Sequence, residues 1–93
     1  MAAKRPWRMF CSHGAALFYV ARHPGCTVDD IAAALVVTPK TAWRVVRELT
    51  RSGLIQARKD GRRGRYWPDG EGRLPDPVLS DLTLRQIMSA LGP

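Results

Sequence analysis

With 93 residues the chain has material for one domain with one modest core, and an apolar share of 45% is that of a folded protein rather than a disordered one. No run approaches the roughly eighteen apolar residues of a membrane span, and the opening Met-Ala-Ala-Lys-Arg-Pro-Trp leads into no signal-peptide core, so a cytoplasmic protein is expected. The net charge of +7 is concentrated: between Lys40 and Trp67 nine Lys or Arg face only Glu48 and Asp60, while the remainder is balanced, and so local a field points to a polyanionic partner.

In chain order, residues 1–11 read as a basic arm. The run from Ser12 to Arg22 reads as a helix stopped by Pro24-Gly25. Leu17, Val20 and Ala21 can face a core while Phe18 and Tyr19 point elsewhere, and a helix apolar on nearly all sides is usually covered twice. Thr27 offers an N-cap for a second helix over Val28–Leu35, with Asp29 and Asp30 in the turn where the helix dipole favours negative charge. Val36-Val37 is a break. Thr38 followed by Pro39 is a strong start signal, because the hydroxyl caps free N–H groups and proline at the first helical position has no N–H to leave unpaired. This third helix is expected to run to about Ser52, where Gly53 supplies a left-handed stop.

Within the third helix Ala42, Val45, Val46 and Leu49 recur at i, i+3, i+4 and i+7, which makes them the core stripe. Lys40, Thr41, Arg44, Arg47, Glu48 and Arg51 are thereby pushed outward, so the basic ridge is what remains once the stripe is buried. Leu54–Arg58 and Arg65–Trp67 read as short strands flanking Lys59-Asp60-Gly61-Arg62-Arg63-Gly64, a hairpin with a basic tip. Residues 68–77, rich in Gly, Pro and Asp, read as a linker. Leu84, Ile87, Met88 and Leu91 stand at helical spacing, giving a fourth helix within 78–93. The expected fold class is therefore mostly α with a small β-hairpin.

Helix, short helix, tight turn, basic helix and basic hairpin together resemble the winged helix-turn-helix domains of bacterial and archaeal transcriptional regulators, the broad group of the MarR, ArsR and IclR families. The resemblance is carried by Thr27-Val-Asp-Asp-Ile-Ala-Ala-Ala-Leu35, Thr38-Pro-Lys-Thr-Ala-Trp-Arg-Val-Val-Arg-Glu-Leu49, Gly53-Leu-Ile55 and the hairpin to Trp67, and covers residues 12–67. Thr41-Ala-Trp-Arg44 is also similar to the pattern of IclR-like recognition helices. What the resemblance implies is a three-helix core with a wing and a C-terminal helix, a recognition helix over 39–52 in the major groove of double-stranded DNA, and a wing over 58–65 on backbone or minor groove.

On that footing Thr38, Lys40, Thr41, Trp43, Arg44 and Arg47 are expected to face the groove. Lys40 and Arg44 are the base readers, since guanine O6 and N7 accept from cationic side chains. Arg47 and Arg51 fall further along and suit phosphates, which position without specifying. In the wing, Arg58, Arg62, Arg63 and Arg65 suit phosphates or a minor groove. Trp43 has two readings: it touches a sugar or a thymine methyl, or it packs under the hairpin against Tyr66 or Trp67.

Cys11, His13, His23 and Cys26 have the composition of a zinc set but not its geometry, because the two histidines lie at opposite ends of the first helix, about 15 Å apart. An internal disulfide meets the same obstacle, which leaves small thiols in a reducing compartment or, as the alternative, a redox sensor. No nucleophile, base and orienting group form a recognisable set, and Gly61-Arg-Arg-Gly64 is too short for a phosphate loop, so a non-enzyme without cofactor is expected. The first helix and the tail helix each present an apolar surface, and their union, within one chain or across a homodimer, is the economical solution. Two other readings stay open: a nucleic-acid-binding accessory without sequence preference, and a winged helix used for protein–protein contact.

Overall fold

The computed structural model describes residues 11–61, 63–74, 77–78 and 81–90, with the side chains of Asp60 and Arg63 left aside. Among them four helices and one antiparallel hairpin follow in the order α1 (Ser12–Arg22), α2 (Val28–Leu35), α3 (Pro39–Arg51), β1 (Ile55–Asp60), β2 (Arg63–Pro68) and α4 (Leu84–Ala90). Helices α1, α2 and α3 pack on one another, α1 also lies against β2, and α3 against β1.

The first three helices begin and end where their punctuation places them. In α2 the capping box is closed on both sides: Asp30 N donates to Thr27 Oγ1 at 3.2 Å and Thr27 N donates to Asp30 Oδ2 at 3.0 Å. In α3, Thr38 Oγ1 accepts from Thr41 N at 3.2 Å with Pro39 in the first turn. Its far end closes with Leu54 N on Leu49 O at 3.2 Å around Gly53 at φ +77. Helix α2 closes in the same way, with Val37 N on Ala32 O at 3.0 Å, but there the left-handed residue is Val36, at φ 56 and ψ 50. The break foreseen at Val36-Val37 is thus a Schellman closure carried by a β-branched residue that rarely adopts this conformation.

The strands are longer than their apolar cores suggest. The register pairs Ile55 with Pro68 through to Asp60 with Arg63, so Lys59, Asp60, Arg63 and Gly64, expected in the tip, belong to the ladder. The ladder reaches Asp60 on one strand and Arg63 on the other, and Gly61 at φ +65 is what permits so tight a connection. A further rung comes from the α1–α2 connection: Gly25 N donates to Tyr66 O at 2.8 Å and Tyr66 N to Cys26 O at 2.9 Å. The hairpin is therefore held at its base by the segment that ends α1.

Ala16, Leu17 and Val20 of α1, Ile31, Ala32 and Leu35 of α2, and Ala42, Val45, Val46 and Leu49 of α3 converge with Cys26, Leu54, Ile55 and Tyr66 in one core. Burial of each larger aliphatic side chain contributes about 1.5–3 kcal/mol against chain entropy. Leu84 of α4 joins the same core at 1% exposure, with Leu74 and Met88 packed against it.

The C-terminal segment differs in its bounds from the expected linker over 68–77 and helix over 78–93. Asp69 to Gly72 form a turn against the domain: a Cβ on Gly72 would stand 2.6 Å from Gly53 O, so only glycine permits this approach. Helix α4 starts at Leu84, later than the expected 78, because Thr83 and Gln86 form the cap there, with Gln86 N on Thr83 Oγ1 at 3.2 Å and Thr83 N on Gln86 Oε1 at 2.8 Å. Leu84 N on Gly72 O at 2.8 Å and an Arg85–Glu71 ion pair tie its start to that turn. The apolar stripe of the tail thus begins inside the chain's own core. The arm, apart from Cys11, and Leu91 lie outside the described residues.

Candidate nucleic-acid interface

Helix α3 divides cleanly. Ala42, Val45 and Val46 are fully buried and Leu49 nearly so, which forces Lys40, Trp43, Arg44, Arg47, Glu48 and Arg51 to the opposite side, where all are exposed. Lys40, Thr41, Trp43, Arg44 and Arg47 line one shallow concavity on this face. Thr38 is exposed at its head, its hydroxyl also donating to Thr41 Oγ1 at 3.0 Å, so the two threonines are occupied with the helix start. Arg51 stands in the last turn, where a cation also suits the helix dipole.

The hairpin stands beside this face across a groove of about 490 Å³. Pro39 and Trp43 of α3 form one wall, Ala57, Arg58, Lys59, Gly64 and Tyr66 of the hairpin another, and Thr27, Val28 and Asp29 at the head of α2 a third. Trp43 belongs to both depressions and is 55% exposed, so it is a ridge between them rather than a core residue, although Tyr66 lies in the same groove. Arg58 lays its guanidinium over the Trp67 ring, 5.6 Å from the centroid, which stiffens an exposed cation on the wing.

The structure does not bring all predicted residues to one surface. Arg65 is half-buried and its Nη1 donates to Gly25 O at 2.8 Å, so this wing arginine clamps the α1–α2 connection. Arg62 lies outside the described residues, and Arg63 is placed by its backbone as the partner of Asp60. Lys59, expected only in the hairpin tip, and Asp29, expected only in the first turn of α2, also line the groove.

Glu48 is the one acid of α3. Its Oε1 meets His13 Nε2 of α1 at 3.0 Å and Arg44 Nη1 at 3.6 Å. The His13 hydrogen bond foremost, with Arg44 and Arg47 adding positive charge, holds its carboxyl below the ordinary glutamate value. Its spacing to Arg44 could have been read from the sequence as an i, i+4 pair; its contact with a histidine 35 positions away could not.

Both cysteines are free, Cys11 exposed and Cys26 buried. Burial, and then the Asp30 charge, push the Cys26 thiol up, which keeps it protonated and unreactive. Burial likewise raises the Tyr66 phenol. Among the described residues no group of three or more His, Cys, Asp or Glu is placed to hold a metal ion, and no helix is long and apolar enough to cross a membrane.

The MarR family model matches residues 12–65, the stretch from the start of α1 into β2. The chain belongs to the MarR family. Members of this family are transcription regulators, not enzymes. The fold is correspondingly similar to that of solved family structures. The Staphylococcus aureus MepR–DNA complex matches with a TM-score of 0.63 at 26% identity, over 88% of this chain and 64% of that one. A MarR family transcription regulator matches with a TM-score of 0.59 at 31% identity, over 62% of this chain and 40% of the other. MarR itself gives a TM-score of 0.58 at 30% identity, over 62% and 42%. The chain thus spans between two fifths and two thirds of the length of these MarR-family structures. No curated protein sequence matches it significantly.

Proposed function

We propose that this chain is a DNA-binding unit of a transcriptional regulator that reads double-stranded DNA by sequence. The observation that carries the reading is the division of α3, whose buried stripe leaves an exposed face bearing Lys40, Arg44, Arg47 and Arg51 beside a basic hairpin. A major groove about 12 Å wide admits one such helix. Lys40 and Arg44 reach base edges, Thr38, Thr41 and Trp43 line the approach, and Arg47 and Arg51 meet phosphates. The wing contributes Arg58, Arg62, Arg63 and Arg65 to backbone or minor groove, with Arg65 acting mainly by fixing the wing to Gly25. Support comes from the similarity to MepR solved with DNA.

Two copies joined through the α1 and C-terminal regions would place two recognition helices on paired half-sites. The outer side of α1 supports that assembly, since Ala15, Phe18 and Tyr19 line an open recess with Ala34 and Leu35 of α2. A cytoplasmic location follows from the proposed target. The test is a pair of substitutions titrated on a selected and a scrambled duplex. Arg44→Ala is expected to lower affinity for the selected duplex by about 1–3 kcal/mol and for the scrambled one by less. Arg63→Ala is expected to weaken both alike and to reduce the slope of log K against log salt by about 0.9. Equal losses on both duplexes for Arg44→Ala would remove its base-reading role.

A further inference from the structure

Glu48 is an unexpected presence on a face built to meet phosphates, and the structure shows it held from two sides. One oxygen, Oε1, lies 3.0 Å from His13 Nε2 and 3.6 Å from Arg44 Nη1. An exposed Arg–Glu pair one helical turn apart holds little by itself, and with arginine first it is in the less favourable order. The histidine changes that. It projects from α1, whose backbone is fixed by the burial of Ala16, Leu17 and Val20, so the carboxylate is referred to a second helix instead of moving with the guanidinium.

We infer that His13 and Glu48 are positioning residues that hold the Arg44 guanidinium in register with the recognition face, exchanging general DNA affinity for sequence selectivity. This rests on the proposal that Arg44 reads bases. Two effects of opposite sign follow from one carboxylate. Its charge repels phosphates and weakens binding to every duplex. Its grip on Arg44 reduces the side-chain freedom lost on forming a bidentate contact, which helps only the duplex that offers one.

Among the described residues, Glu48 is surrounded by His13 of α1 and the preceding Cys11, by Arg44, Arg47 and Ser52 on or beside its own helix, and by the uncharged Leu74 and Pro77 of the C-terminal segment.

The test compares wild type with Glu48→Gln, His13→Ala and His13→Gln, the last retaining a hydrogen-bond donor. In the free protein, NMR relaxation of the Arg44 Nε–H is expected to show an ordered side chain in wild type and His13→Gln, and a mobile one in Glu48→Gln and His13→Ala. By anisotropy, Glu48→Gln is expected to bind a scrambled duplex more tightly, while the ratio of selected to scrambled affinity falls about two- to tenfold, the effect of freeing one long side chain. Equal Arg44 mobility in all four proteins, or an unchanged ratio in Glu48→Gln, overturns the inference. A wild type that prefers no duplex, with Arg44 still ordered through His13 and Glu48, supports the positioning and refutes the base reading on which its selectivity depends.

Discussion

Val36→Gly is expected to stabilise the fold, and its size follows from the turn between α2 and α3. Val36 sits at φ 56 and ψ 50, a left-handed conformation that costs an L-residue about 1–2 kcal/mol, with a β-branched side chain toward the upper end. The side chain is 87% exposed, so its removal forfeits almost no packing. Glycine relieves the strain but adds about 0.4–1 kcal/mol of freedom to the unfolded chain. The net gain is about 0.5–1 kcal/mol, or roughly 2–8 °C in Tm for a domain of this size. Val36→Ala keeps the Cβ and with it most of the strain, so it should shift Tm by much less. Thermal melts followed by circular dichroism, with urea titrations for the free-energy difference, measure both. A lower Tm for Val36→Gly, or an equal gain for Val36→Ala, would show that the turn is not strained in the way its dihedrals imply.

Other substitutions test separate parts of the fold. Leu84→Ala empties a core site that is 1% exposed and should cost about 2–5 kcal/mol in urea unfolding; a loss below 1 kcal/mol would place α4 outside the cooperative unit. Thr38→Ala removes the cap on Thr41 N and should cost about 1 kcal/mol, with Thr38→Ser restoring most of it in the same assay. Glu48 has a folded-state pKa below its ordinary 4.5, so the stability it contributes is complete above about pH 4.5 and is lost as pH falls through the depressed value. Stability measured from neutral pH downward should therefore fall less steeply in that acid range for Glu48→Gln than for wild type, and identical profiles would contradict a depressed Glu48 carboxyl in the fold.

The helical part of the fold was legible because its signals are local. Thr27 with Asp30, Thr38 with Pro39, and the Ala42, Val45, Val46, Leu49 stripe each act within a turn or two, and the structure realises them over those residues. What escaped depends on partners distant in sequence. The strands lengthen because a ladder propagates toward its turn regardless of side-chain polarity, so basic residues such as Lys59 become strand residues. The segment after Pro68 has a linker's composition, yet Gly72 and Leu84 fit against Gly53 and the core, a shape match that composition does not record. For the site, the outward face of α3 follows once its stripe is identified. The clamp of Arg65 on Gly25 and the tether of Glu48 to His13 do not, because each joins residues 35 or 40 positions apart. Trp43 shows the middle case: its helix face was readable, but its exposure required the hairpin's position.

The most direct test of the central claim is selection of a binding site from random duplexes, followed by anisotropy on the winner and a scrambled control at two salt concentrations. The expected result is a palindromic winner preferred by about a thousandfold or more, with binding to both duplexes weakening as salt rises. Salt-sensitive binding to every duplex with no winner would contradict it, reducing Lys40 and Arg44 to phosphate contacts and the chain to a nucleic-acid binder without sequence preference.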